Sequence, residues 1–207
     1  REFARFTSGP AMDPAFWALK LIEADHYSVE VVQQDGMNKQ TAPNSSIIKF
    51  QFPARGEMMP VEVYWYDGGL QPPRPEGVPE DEKLGDGNNG SLFVGTDGYL
   101  TSGEYGGDSR FAPISRMEGY TRPEKTIPRI PGQSPYRNWI EACKKGGQAV
   151  SNFDYASRLT EVANFGNVAL HADARLEFDV ASMRITNNEA ANALLTKEYR
   201  AGWELPV

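Results

Sequence analysis

Three consecutive stretches of alternating side chains, YSVEVVQQ (Tyr27 to Gln34), SSIIKFQFP (Ser45 to Pro53) and PVEVYWY (Pro60 to Tyr66), constrain this chain more than any other feature. β-Branched and aromatic residues at a period of two fit a pleated, half-buried strand and do not fit a helix. In the second stretch Ile48, Phe50 and Phe52 share one face, and in the third Val61, Val63 and Trp65 do. The link RGEMM, Arg55 to Met59, is short enough to close a hairpin-like turn between them. No helical pattern separates the three runs, so they are expected to pair antiparallel.

Helical patterns flank this β-rich stretch. Met12 to Glu23 begins with Asp13 as a cap and Pro14 at the first helical position, and offers Phe16, Trp17, Leu19 and Leu21 as its apolar face. SPYRNWIEACKKGG has Ser134 as cap, Pro135 behind it, Trp139, Ile140 and Cys143 on one face, and Gly146 as the stop. In SNFDYASRLTEVANFGNVALHAD, Ser151 and Asp154 have capping-box spacing, and Ala156, Leu159, Ala163, Gly166 and Leu170 form a small-residue stripe suited to close packing. RLEFDV and SMRIT read as short strands, followed by a closing helix from Thr186 and Glu189 to Gly202. Further strands flank Thr96-Asp97-Gly98, whereas Arg122 to Pro135 reads as extended, proline-rich polypeptide. The expected class is α+β: one domain over residues 1–207 with an open, mainly antiparallel sheet, helices packed on one face, and a Gly/Pro-rich insertion at 67–90.

Bulk properties exclude several functions. A formal net charge of -7 with no basic run argues against a nucleic-acid partner, because affinity for phosphate backbones comes from concentrated Lys and Arg. No stretch of about twenty apolar residues is present to span a membrane. Cys143, the sole cysteine, rules out an internal disulfide and reads most simply as a small buried hydrophobe. His26 and His171 are isolated, so no metal site is expected, and His171 suits a helix C-terminus at the surface. No G-x-S-x-G elbow is present. GDGNNG, Gly85 to Gly90, has the G-x-G-x-x-G spacing of a phosphate-cradling turn, but charged PEDEKL precedes it and strand-like SLFVG follows it. That order is the reverse of strand, turn and helix, so no cofactor-binding residue is expected there.

One segment has a composition suited to a ligand. In WYDGGLQPPRP, Trp65 to Pro75, an aromatic pair leaves a strand into an acid, two glycines and an arginine. Sugars and polyols present apolar C–H patches and many hydroxyls, which aromatic faces, carboxylates and guanidinium groups can grip together. Tyr66, Asp67 and Arg74 are therefore the candidate substrate-binding residues. The same string is also explained by a core tryptophan followed by turn chemistry.

Taken together, MDPAFWALKL, WYDGG with PPRP, GSLFVGTDGYLTSGEYG, SRMEGY, NWIEACKKG, SNFDYASRLTEVANFGNVAL and EYRAGW resemble, in order and over nearly the whole chain, the C-terminal domain of bacterial Gfo/Idh/MocA oxidoreductases. The resemblance implies a glyceraldehyde-3-phosphate dehydrogenase-like α/β domain that shapes a sugar or polyol pocket and forms oligomer contacts; because an open sheet must cover one face, homo-oligomers are expected through the strands near Ile47 to Tyr66. It also implies a partner Rossmann domain, ahead of this chain, that holds NAD or NADP; this chain would then be a fragment, inactive by itself. The family's D-x-x-x-H pair and its following Asp map onto Phe6, Pro10 and Asp13. Neither Phe6 nor Pro10 can move a proton, so either the usual acid/base pair is replaced or Arg1 to Gly9 is not the native lead-in. Asp13 reads as a helix cap, and no catalytic residue is expected within the chain. An NAD-dependent glycosidase of the same family, a non-catalytic interaction module and a free-standing lectin-like binder are the alternatives.

Overall fold

The computed structural model describes residues 12–38, 40–87 and 89–204, together with the backbone of 2–6. Its strands are β1 (Glu2–Phe6), β2 (His26–Asp35), β3 (Ser45–Phe52), β4 (Val61–Asp67), β5 (Ser91–Gly95), β6 (Gly98–Ser102), β7 (Arg110–Ala112), β8 (Leu176–Asp179) and β9 (Arg184–Ile185). They form one sheet in the order β7-β6-β5-β1-β4-β3-β2-β8-β9. Every neighbouring pair is antiparallel except β1 and β4, which run parallel. The helices are α1 (Met12–Ala18), α2 (Pro135–Lys145) and α3 (Phe153–Ala172). The protein is α+β with a mainly antiparallel sheet, as the period-two runs require.

Register places Val29, Ile48 and Phe50, and Val63, on the same side of β2, β3 and β4, and all are buried. Helices α1 and α3 cover this face with Ala15, Phe16, Val162, Phe165 and Ala169. Tyr27 is the hub of the packing. Its ring stacks on Phe52 at 5.2 Å and meets Phe165 and Phe178 at 5.6 and 5.4 Å. Gly166 allows α3 to sit this close: a Cβ there would lie 3.2 Å from Phe50 Cζ.

The Tyr27 hydroxyl donates to Glu161 Oε1 at 3.2 Å. Burial, reinforced by the Glu161 charge, raises the phenol well above its ordinary ionisation range. The unfolded chain therefore releases this proton first as pH rises. The Tyr27 contribution is complete below about pH 10 and falls above it by about 1.4 kcal/mol per pH unit. Urea unfolding midpoints between pH 8 and pH 11 are expected to decline more steeply for the wild type than for Tyr27→Phe.

Arg55, 3% exposed, explains why the β3–β4 hairpin closes where it does. Its guanidinium donates to the carbonyl oxygens of Leu19, Pro53 and Met59, tying the hairpin to the chain leaving α1. Arg55→Met keeps much of the apolar stem but deprives these acceptors of a charged donor. The expected loss is about 2–3 kcal/mol, read from urea denaturation.

Several local expectations are corrected. The first helix stops at Ala18, because Lys20 takes a left-handed conformation (φ 52°), and Leu21–Glu23 continue as a 3-10 turn. Trp17 points to solvent, 58% exposed, while Phe16 and Leu21 enter the core. Asn152, not Ser151, caps α3: its side chain accepts from the Tyr155 N–H. The closing helix is only a 3-10 segment, Glu189–Leu194, capped by Asn188. Helix α2 has the expected Ser134 cap, yet buries no residue, and Cys143 is exposed instead of buried. His171 lies at the surface in the last turn of α3, as expected.

Candidate functional site

Strand β4 delivers Tyr66 and Asp67 to the start of the insertion. Asp67, the last residue of the strand, accepts the Gly68 N–H on Oδ1 at 2.8 Å. Gly68 has φ 68°, and a Cβ there would fall 2.0 Å from the Asn44 carbonyl oxygen, so only glycine turns the chain at this point. Tyr66 is buried, with its ring 6.5 Å from that of Tyr64, whereas Asp67 is exposed.

Arg74 acts within the insertion itself. Its Nη1 donates to the Pro79 carbonyl at 2.7 Å and its Nη2 to that of Glu82 at 2.9 Å, while Nε lies 3.6 Å from Glu80. The Arg74 side chain thereby closes the proline-rich loop around a cavity of about 370 Å³, whose lining includes Asp81, Gly85, Leu92 and Thr101. Of the three candidates, Arg74 lines this cavity; Tyr66 and Asp67 are not among its lining residues.

The insertion is stitched to the sheet. Fully buried Thr101 accepts the Gly85 N–H at 2.7 Å and donates to the Ser91 carbonyl, while Arg110 donates to the carbonyls of Lys83 and Gly85. The Asp86 carboxylate accepts the Glu104 N–H at 2.8 Å. Gly85 to Gly90 therefore leads into β5 with no helix behind it. The backbone donors of Gly85, Asp86 and Gly87 are spent on Thr101, Asn89 and Leu84, so this stretch does not fit a dinucleotide phosphate. Among the described residues, no group of three His, Cys, Asp or Glu side chains could hold a metal ion, and no helix is long and apolar enough to cross a membrane.

Two further features were not read from the sequence. Tyr155 on α3 donates to Asp13 Oδ1 at 2.6 Å, joining the first turns of α3 and α1, and its ring meets Phe16 edge-on at 5.6 Å. Burial and the Asp13 carboxylate raise the phenol well above its ordinary range, so it remains a donor at neutral pH. Helix α1 begins at Met12, so Asp13 lies inside its first turn instead of capping it, and Pro14 is its third residue; Asp13 accepts from Tyr155, a contact that spacing over 142 positions could not reveal. The second feature is the sheet face away from α1 and α3. There Ser28 donates to Gln51, Gln51 donates to Glu62 Oε1 at 3.0 Å, and Tyr64 donates to Glu62 Oε2 at 3.1 Å. Arg175 joins from β8's side through Gln51 and Glu177, and Lys49 pairs with Glu30. Alternation marked these residues as facing away from the core; only strand order shows that they are neighbours.

No protein-family model matches the chain, and a search of curated proteins finds no match either.

Proposed function

We propose that this chain is the substrate-binding and oligomerisation domain of an NAD(P)-dependent oxidoreductase acting on a sugar or polyol. The ordered series of motifs resembling the Gfo/Idh/MocA C-terminal domain supports the reading, and so does an α+β fold built on an open antiparallel sheet. The observation that carries it is a pair of surfaces suited to neighbours. One is the polar, half-buried sheet face of Gln51, Glu62 and Tyr64; the other is made by exposed aromatics of the helices, Trp17 on α1 and the Trp139–Phe153 pair of α2 and α3. The sheet face would meet a second copy and the helix side a nucleotide-binding domain, which would supply the hydride acceptor. Within this chain Tyr66, Asp67 and Arg74 are the proposed contacts to substrate hydroxyls, with Arg74 also shaping the loop that carries it.

Calorimetric titration of NAD and NADP into the full-length protein tests this reading. Micromolar affinity for one of them is expected, followed by cofactor reduction when a panel of polyols is added. Absence of cofactor affinity overturns the oxidoreductase reading and favours a non-catalytic interaction module, to which Phe6 and Pro10 at the family's acid/base positions already point.

The oligomer has its own test. Light scattering is expected to report a dimer or larger species, and Ile47→Glu, which puts a charge beside Tyr66 on the open face, is expected to shift it to monomer with an unchanged circular dichroism spectrum. A wild-type monomer at high concentration would remove the oligomerisation role.

A further inference from the structure

A second cavity, of about 450 Å³, lies at the β6–β7 end of the sheet, beneath the extended segment that follows Tyr120. It is unlike the rest of the surface. The chain is acidic overall, yet Arg110, Arg122, Lys125 and Arg129 line this cavity against a single carboxylate, Glu124. Arg110 is already committed, paired with Asp108 and bonded to loop carbonyls. Arg122 spends one nitrogen on the Ser109 carbonyl at 2.8 Å. Lys125 and Arg129 are exposed, and neither forms an ion pair among the described residues. Three cations with donors to spare, Arg122, Lys125 and Arg129, therefore line one concave site.

Apolar and aromatic side chains share the lining. Phe111 and Tyr120 meet edge-on at 4.9 Å, with Ile127 alongside in the lining. Arg116 stacks on Phe111 at 5.6 Å and so adds to the positive potential there. Pro123 and Pro128 stiffen the segment that carries these cations, which lowers the entropy lost when a ligand binds. The volume suits a monosaccharide-sized molecule.

We propose that this cavity binds a ring-bearing organic anion of sugar size. Its phosphate or carboxylate would sit on Arg122, Lys125 and Arg129, and its ring on the Phe111–Tyr120 wall. The assignment is independent of the oxidoreductase reading: it rests on the charge and shape of this cavity alone, and its test involves no nicotinamide cofactor.

Calorimetry on the wild-type protein with glucose 6-phosphate, glucuronate, glucose and inorganic phosphate tests the proposal. At least one of the two ring anions is expected to bind about tenfold or more tighter than both glucose and inorganic phosphate, with affinity falling as salt rises. The tighter of the two identifies the preferred head group. The double substitution Lys125→Gln with Arg129→Gln removes only exposed cations, so folding is expected to be unchanged, and should weaken binding about tenfold. Tyr120→Ala should weaken the ring anion while leaving any inorganic phosphate affinity as it was. Failure of both ring anions to bind, equal affinity for glucose, equal affinity for inorganic phosphate, or indifference to the double substitution would each overturn it.

Discussion

Phe165→Ala is expected to destabilise the protein by about 3–5 kcal/mol, the largest single-residue effect predicted here. The ring is 2% exposed and lies between the helix and the sheet, 4.8 Å from Phe178 and 5.6 Å from Tyr27. Removing it takes away transfer energy and also leaves a void, because Phe178 and Tyr27 are held by their own strands and cannot both collapse inward. Urea unfolding should show a lower midpoint with an unchanged slope. A loss under about 1 kcal/mol would mean that α3 does not dock through this ring.

The adjacent position predicts the opposite kind of damage. At Gly166 a Cβ would already lie 3.2 Å from Phe50 Cζ and 3.4 Å from Ile48 Cδ1. Leucine adds three more carbons in that direction, so Gly166→Leu must push α3 off β3, at an expected cost of about 3 kcal/mol. Gly166→Ala is milder, because the higher helix propensity of alanine, worth about 1 kcal/mol, offsets a clash of a few tenths of an ångström. The two substitutions should therefore rank clearly in thermal unfolding, with leucine far below alanine. Equal melting temperatures for the two would overturn the close helix–sheet approach.

Most of the sheet was legible before any coordinates. The alternation in β2, β3 and β4 is a property of neighbouring residues, since successive side chains leave a strand on opposite sides whatever it pairs with. Thus Ile48, Phe50, Phe52, Val61 and Val63 were placed correctly in the core; of the small-residue stripe on α3, Gly166 and Leu170 are buried, whereas Ala163 is exposed and Val162, Phe165 and Ala169 complete the packed face. Glycine and proline likewise marked residues 67–90 as a loop, and the Ser134 cap and Gly146 stop bounded α2 correctly. The misplaced apolar residues of the helices share one cause. Trp17, Ile140 and Cys143 are apolar residues at helical spacing that remain at the surface, because periodicity reports which residues share a face and not whether anything covers that face. The closing segment has helical composition, yet the Asn192 amide bonds both the N–H and the carbonyl of Ile185, while Asn188 accepts the Ala191 N–H, and the segment forms only a short 3-10 turn.

The candidate site divides in the same way. Asp67 and Gly68 announce a turn in the sequence, and the structure has that turn. Arg74 looked like a ligand-facing cation, but where its donors go depends on the carbonyls of Pro79 and Glu82, which only the folded loop brings within reach. Tyr155 and Asp13 meet from opposite ends of the chain, as do Gln51 and Arg175, and no spacing rule connects such pairs.

What the order of residues determined by itself is the set of short-range choices: strand or helix, cap or turn, inward or outward. Those follow from backbone sterics and from side chains within a few positions of each other. Tertiary structure alone decided the strand order, the face that the helices leave uncovered, the buried Arg55 bridge and the cationic cavity lined by Phe111 and Tyr120. Each of these depends on closing loops between distant segments, whose free energy comes from the apolar surface buried jointly when those segments meet.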